Sequence, residues 1–333
     1  MQKVTVRVPA STSNLGPGFD CLGIALRVYN NVTLSRCRGG PASPMVRAAA
    51  VAFFDRAQRK PFPFSCAIAG DIPACRGLGS SATIRLGVIG GLNELAVRPL
   101  QRQEIFEICS ELEGHPDNAA PAAYGGFNVV RDGQRQTFTV SAQLHFVLLI
   151  PNFEIATELA RRVLPARVDR LHAVENCRNA CAITAAFASR EYEKLRGAFV
   201  DRLHQPFRKK LIPFLDNVIR AAESAGALGA FLSGSGSTIC AIARRSSENV
   251  GRAMLAAGKS EGARIIITTA DNRGARILTF RKPPSPKGLR RPGPTASFAK
   301  VAMAAKSEIR NRSASSLRHS SSVIRHFRHG STR

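Results

Sequence analysis

A chain of 333 residues, 44% hydrophobic and 21% charged, has room for two ordinary domains and the composition of a soluble globular protein. The formal charge of +25 is unevenly spread: residues 279–333 hold 13 Lys/Arg against one acid, Glu308, and the preceding 278 residues hold 35 against 22. No apolar run reaches bilayer length and the first residues alternate like a strand, so neither a membrane span nor a secretory leader is expected, and a cytoplasmic setting is.

In chain order, hydrophobic periodicity predicts strands over 4–8 and 30–35, a helix over 45–59 and a strand over 64–69. Helices follow over 83–96 and 102–112, then a hairpin of 125–131 and 136–140 around Asp132-Gly133, and a buried strand over 144–150. The next stretch reads as helices over 157–164, 168–189, 194–203 and 211–224. Strands over 230–232 and 239–243, a helix over 248–257 and strands over 264–268 and 276–280 complete the pattern. From residue 281, Pro, Ser and Arg dominate, and this segment is expected to be a disordered basic tail. Eight cysteines occur without a Cys-x-x-Cys pair, and Cys177 and Cys181 are expected as small buried residues of an Ala-rich helix.

Chemistry concentrates in Gly77-Leu78-Gly79-Ser80-Ser81-Ala82, between a predicted strand and a predicted helix. Two glycines permit positive φ and close approach of the backbone, and the following amides sit at the positive end of a helix dipole, which suits an anion. There is no Gly-x-x-x-x-Gly-Lys-Ser/Thr, and neither His-Arg-Asp nor Asp-Phe-Gly, which excludes a P-loop enzyme and a protein kinase.

With Ile72-Pro73-Ala74-Cys75-Arg76 before it, this segment resembles the second motif of the GHMP kinases. Pro9-Ala10-Ser11-Thr12-Ser13-Asn14-Leu15-Gly16-Pro17-Gly18-Phe19-Asp20 resembles their first motif, and Leu232-Ser233-Gly234-Ser235-Gly236-Ser237-Thr238 their third. The stretches Glu111–Ala122 and 151–165 are similar to the branch of the family that acts on L-homoserine. The resemblance covers about residues 1–278 and implies an α+β, two-domain GHMP-kinase-like fold. In it, residues 1–150 form a ribosomal protein S5 domain 2-like N-terminal domain with the phosphate loop, residues 151–280 a ferredoxin-like C-terminal domain, and 281–333 the tail.

The activity implied is ATP-dependent phosphorylation of the side-chain hydroxyl of L-homoserine, on the route to threonine. The resemblance assigns Arg76, Gly77, Leu78, Gly79, Ser80, Ser81 and Ala82 to the nucleotide phosphates, and Ser81 and Glu113 to Mg²⁺. Asn14, Asp20, His115, Asp117, Asn118, Arg161, Arg208 and Gly234 are expected around the substrate, with Asp20 and Asp117 toward its ammonium and Arg161 and Arg208 toward its carboxylate. Asn118 stands where related kinases carry an aspartate base, so the substrate hydroxyl is expected to attack directly, with Thr157 beside the reacting group and Asp117 left open as a proton acceptor. Read without the family, Glu113 is a solvated helix-end carboxylate, Arg76 is either a phosphate cation or an exposed turn residue, and the Asp and Asn residues are turn formers.

Three departures from the family pattern stand out. Ser237 replaces the proline of the third motif, Thr83-Ile84-Arg85 replaces a run of small residues, and the stretch from residue 37 to 64 is short. Arg85 is open between a solvent-facing and a phosphate-facing role. Alternative readings are a GHMP kinase for another small alcohol, or a nucleic-acid-binding protein acting through its basic tail. The sequence argues against the latter and against a membrane partner, and leaves a homodimer open.

Overall fold

Two long strands near the N-terminus set the frame of the computed structural model, which describes residues 2–281 apart from 38, 41 and 132. The basic tail expected beyond them, and Asp132 of the hairpin turn, lie outside the described residues. Strand β1 (Lys3–Ser13) pairs antiparallel with β2 (Leu22–Arg36), with a register shift between Pro9 and Ala10. Both run well past the predicted segments; in β1 the extension carries the polar residues 11–13, which are fully buried. β3 (Phe64–Gly70) pairs along the second half of β2, and β4 (Phe127–Arg131) along its start. β5 (Gln134–Phe138) joins β4, and β10 (Arg276–Arg281) closes the other edge beside β1.

A second, four-stranded antiparallel sheet runs in the order β7 (Gly229–Leu232), β8 (Ile239–Ala243), β6 (His145–Ile150), β9 (Arg264–Thr269). The unbroken apolar text of β6 has a simple cause: both of its faces are buried. Phe146, Leu148 and Ile150 enter one core with Ile24, Leu26 and Phe127 of the six-stranded sheet, while Val147 and Leu149 enter another. In the first core, α6 (Arg170–Ser189) contributes Phe187, which stacks on Phe127 at 4.4 Å. α8 (Leu215–Ser224) and α9 (Ser247–Gly258) cover the opposite face with Val218, Val250 and Met254.

The third core lies between the six-stranded sheet and α1 (Pro44–Arg56), α2 (Ser80–Leu95), α3 (Arg102–Glu113) and the short α4 (Ala119–Tyr124). It packs Val4, Val6, Val8, Val32 and Leu34 against Phe53, Leu86, Ile89 and Phe106. α2 lies close on β2, since a Cβ at Gly87 would run into the Val32 isopropyl group and one at Gly91 would sit 2.7 Å from Leu34 Cδ1. Two short helices, α5 (Thr157–Arg162) and α7 (Gln205–Arg208), border the site described below.

Two expectations fail for identifiable reasons. The helix expected over 194–203 is a 3₁₀ turn at Tyr192–Leu195 followed by a loop, because Gly197 takes φ +77° and Asp201 captures the amides of Leu203, His204 and Gln205. Cys177 and Cys181 are exposed, because α6 turns Asn176, Ile183, Ala186 and Phe187 inward instead. All eight cysteines are free thiols, and no described helix is long and apolar enough to cross a membrane.

The close seat of α2 predicts opposite outcomes for two glycines of one helix. Gly87→Val should destabilise the fold by about 2 kcal/mol through overpacking against a stiff β-branched neighbour. Gly90→Ala, where a Cβ would meet only Val6 Cγ1 at 3.9 Å, should stabilise it by about 0.5–1 kcal/mol. Urea denaturation of the two variants reads both signs.

Candidate active site

The three motif segments interlock through backbone and hydroxyl groups. Ser233 Oγ donates to Gly77 O at 2.6 Å and shares a 2.8 Å bond with Thr12 Oγ1. The Gly234 amide donates to Ser13 O at 3.1 Å, and Asn14 Nδ2 donates to Gly234 O at 3.0 Å. The Ser11 amide donates to Leu78 O and the Thr238 amide to Arg76 O, both at 3.2 Å. A side chain at Gly77 would collide with Ser233 O and one at Gly79 with Ser11 Oγ, so both positions also need the absence of a Cβ, in addition to φ of +73° and +66°. Ser237, in place of the family's proline, donates from Oγ to Phe153 O at 2.6 Å, so a hydrogen bond ties the third loop where a proline ring is missing.

Between these loops lies a cavity of about 570 Å³, within the usual range for small-ligand sites. Its floor is the N-terminus of α2, where Gly79 is the N-cap and the first intrahelical amide bond runs from Thr83 to Gly79 at 3.0 Å. Thr83 seats this end: its hydroxyl donates to Ser80 O at 2.7 Å and accepts from Asn30 Nδ2 at 2.8 Å. The amides of residues 80–82 belong to the unpaired first turn that attracts anions. A further hollow of about 660 Å³ over the β4–β5 hairpin gathers none of the motif residues.

On one wall, Ser81 Oγ donates to Glu113 Oε2 at 2.8 Å, and Arg85 pairs with Glu113 Oε1. The Glu113 side chain is only 6% exposed, which rules out a solvated helix-end carboxylate. Glu111, two residues earlier, bonds Arg56 on the surface. Arg76 is not an exposed turn residue either: Nε donates to Pro151 O at 3.1 Å and Nη1 lies 3.3 Å from Glu154.

Elsewhere in the cavity lining, Arg161 makes a two-pronged pair with Asp20, at 3.0 and 2.8 Å. Arg161 and Arg208 both lie over the Phe19 ring, at 5.6 and 5.2 Å from its centroid. Arg208 is buried, donates to Ala160 O and Gly234 O at 3.0 Å each, and is pushed down to about 10 by burial and then by Arg161, so it stays cationic at neutral pH. Close to Asp20, His115 Nδ1 and Asp117 Oδ1 are 2.6 Å apart. Burial alone would lower the His115 pKa, but the Asp117 hydrogen bond and charge raise it above its ordinary 6.5. Burial would likewise raise Asp117, but His115 and Ser13 hold it below its ordinary 3.8.

Asn14, Asp20, Arg76, Gly77, Gly79, Ser80, Ser81, Glu113, His115, Asp117, Asn118, Thr157, Arg161, Arg208 and Gly234 all border this one cavity. Leu78 and Ala82 do not, because their side chains fill two different cores while their backbone continues the loop. Asn118 and Asn14 have framework duties: Asn118 accepts from Ser11 Oγ at 2.7 Å and donates to Ser13 Oγ at 2.9 Å, and Asn14 Oδ1 accepts the Asp20 amide at 3.0 Å. The sequence reading missed His204. It is fully buried, gives Nε2–H to Gly16 O at 2.8 Å, and turns Nδ1 toward Arg208 at 3.3 Å. Burial, with Arg208 beside it, pushes its pKa well down, so the ring is neutral. The local signal is Asp201, whose carboxylate accepts the amides of His204, the N-cap of α7, and of Gln205.

The family model "GHMP kinases N terminal domain" matches residues 44–126, and "GHMP kinases C terminal" matches residues 184–260. The chain is 37% identical over 300 residues to a homoserine kinase of Caldicellulosiruptor bescii, covering 84% of this chain and 98% of that protein. It is 40% identical over 283 residues to a homoserine kinase of Synechococcus sp., covering 78% and 92%. The crystal structure of homoserine kinase from Cytophaga hutchinsonii superposes with a TM-score of 0.76 at 26% identity, covering 83% of this chain and 97% of that one. A chain that matches whole relatives at this identity, with three motif loops closing on one cavity, belongs to the homoserine kinases of the GHMP kinase family.

Proposed function

We propose that this chain transfers the γ-phosphoryl group of ATP to the side-chain hydroxyl of L-homoserine, in the cytoplasm. One observation carries the substrate assignment: the Asp20–Arg161 pair and the phosphate loop line the same cavity. A zwitterionic amino acid offers the complement of that pair, an ammonium for Asp20 and a carboxylate for Arg161 and Arg208. A polyol or an isoprenoid alcohol carries neither charge and would gain nothing from this pair or from Arg208.

Ser81 and Glu113 fit Mg²⁺, since they bring a hydroxyl and a carboxylate oxygen within 2.8 Å at the mouth of a phosphate-binding helix. Mg²⁺ bound there supplies neutralisation of phosphate charge. The rest of the work falls to the chain. The loop amides of residues 77–82 cradle phosphate oxygens, and Arg76 lies beside them. Asp20, Arg161 and Arg208 orient the amino acid so that its hydroxyl lies near the phosphate end, a positioning effect that is the main lever in phosphoryl transfer. Thr157, exposed on the cavity rim at the start of α5, lies within the same lining for stabilisation of the transferring group. Asn118 cannot take a proton, and Asp117, held ionised by His115, is a weak base. Direct attack by the hydroxyl with late proton loss is therefore the favoured route.

ADP release by the purified chain should depend on L-homoserine and not on mevalonate or galactose, and Glu113→Gln should lower kcat by about two to three orders of magnitude. Equal turnover with all three alcohols would sink the substrate assignment. Arg161→Ala should raise the KM for homoserine roughly 10- to 100-fold, the scale of losing charged hydrogen bonds, with the KM for ATP unmoved. An unchanged homoserine KM would remove Arg161 from the carboxylate.

The His115–Asp117 pair also predicts a pH signature. Because His115 is raised, its contribution to stability is full below about pH 6.5 and fades as the pH climbs through its folded value; because Asp117 is lowered, its contribution is full above about pH 4 and fades as the pH falls through its folded value. The melting-temperature gap between the wild type and His115→Gln should be widest at about pH 5–6 and narrow by about pH 9. A gap of constant size across that range would mean the pair carries no charge.

A further inference from the structure

Arg85 stands where the family's phosphate helix has small residues, and its side chain, 19% exposed, is turned into the site against Glu113. We propose that Arg85 is an internal counter-ion that competes with the divalent cation for Glu113 and so sets how much Mg²⁺ the protein requires. This rests on the reading of Ser81 and Glu113 as metal ligands.

Both carboxylate oxygens of Glu113 are already answered by the chain, Oε2 by the Ser81 hydroxyl and Oε1 by Arg85 Nη1. A hydroxyl can turn its lone pairs toward a metal and remain a ligand. A guanidinium has no lone pair to offer and can only block. Glu113 is the last residue of α3, at the negative end of its dipole, so it is not placed to stabilise its helix. Each charge is tolerated in a mostly buried wall because the other neutralises it.

The pairing is displaceable by construction. Only one guanidinium nitrogen engages the carboxylate, and Arg85 Nε is buried without a hydrogen-bond partner among the described residues. This differs from the two-pronged Arg161–Asp20 pair in the same cavity. A divalent ion arriving at Glu113 brings two charges against one, and the long arginine side chain can withdraw along the cavity. Without Arg85, the same carboxylate would wait unneutralised and would draw the cation in more strongly.

Mn²⁺, observed by electron paramagnetic resonance as it leaves solution, is a direct probe on the full chain without nucleotide. Arg85→Met should bind Mn²⁺ about tenfold more tightly than the wild type, the size of an ordinary coupling between two sites. Arg85→Ala should do the same, so that a misfolded single variant cannot decide the matter, and Arg85→Lys should stay near the wild type. Glu113→Gln should lose the site in every background, and Mg²⁺ should displace the bound Mn²⁺. If Glu113→Gln loses Mn²⁺ but neither neutral Arg85 variant binds it more tightly, the counter-ion role falls and the metal site stands. If Glu113→Gln keeps the Mn²⁺ affinity of the wild type, both fall.

Discussion

The backbone of the phosphate loop is held from two sides by segments more than two hundred residues apart in sequence. Thr12 and Ser233 share a hydrogen bond, Ser233 passes a second one to Gly77 O, and Gly234 bridges back to Ser13. These groups are buried, so each must find a partner inside the protein, and the network admits one arrangement of the three loops. The α2 N-terminus points at the cavity only because this network fixes where Gly79 begins the helix. The catalytic reading therefore depends on polar contacts that touch no ligand. The first and third motifs serve the second as clamps before any of them serves a substrate.

This explains which parts of the site could be read from the sequence. The phosphate loop was legible because its glycines answer a local demand, positive φ and closeness of backbone. The Ser81–Glu113 meeting was legible only through the family, since nothing in the spacing of residues 81 and 113 brings the start of α2 to the end of α3. The roles of Asn14 and Asn118 were less visible. An amide side chain reads as a ligand group or a turn former, and here both are bound to the loop hydroxyls and amides around them. The His204 network escaped for the same reason: its partners, Gly16 O, Asp201 and Arg208, are set by tertiary packing.

The fold was legible where periodicity is a local property and illegible where two layers share a strand. β6 reads as a generic buried strand because its two faces enter different cores, and the sequence does not say which face meets which sheet. The second half of β1 falls outside the predicted strand because Ser11, Thr12 and Ser13 are buried for their hydroxyls and not for apolar area. Residues 194–203 carry a helical pattern, and a positive φ at Gly197 with the capture of three amides by Asp201 overrides it. That override matters for function, since it places α7 and hence Arg208 beside Gly234.

Charge balance in the cavity rests mainly on internal pairs. Arg161 is paired with Asp20, Glu113 with Arg85 and Asp117 with His115, while buried Arg208 is answered by the carbonyls of Ala160 and Gly234. Unpaired, these partly or wholly buried charges would be costly, and pairing keeps the folded state intact. The pairs differ in how firmly they close. Arg161–Asp20 is two-pronged but a third exposed, so water screens it and a zwitterion can replace it charge for charge. Glu113–Arg85 is deeper but bonded at one point, so a doubly charged ion can replace it with a net gain in attraction. His115–Asp117 is the most enclosed, with both groups shifted toward their charged forms, and it behaves as framework. Affinity at each position is thus a difference between ligand contacts and the internal pair given up, and the depth and valency of that pair decide which ligand can win.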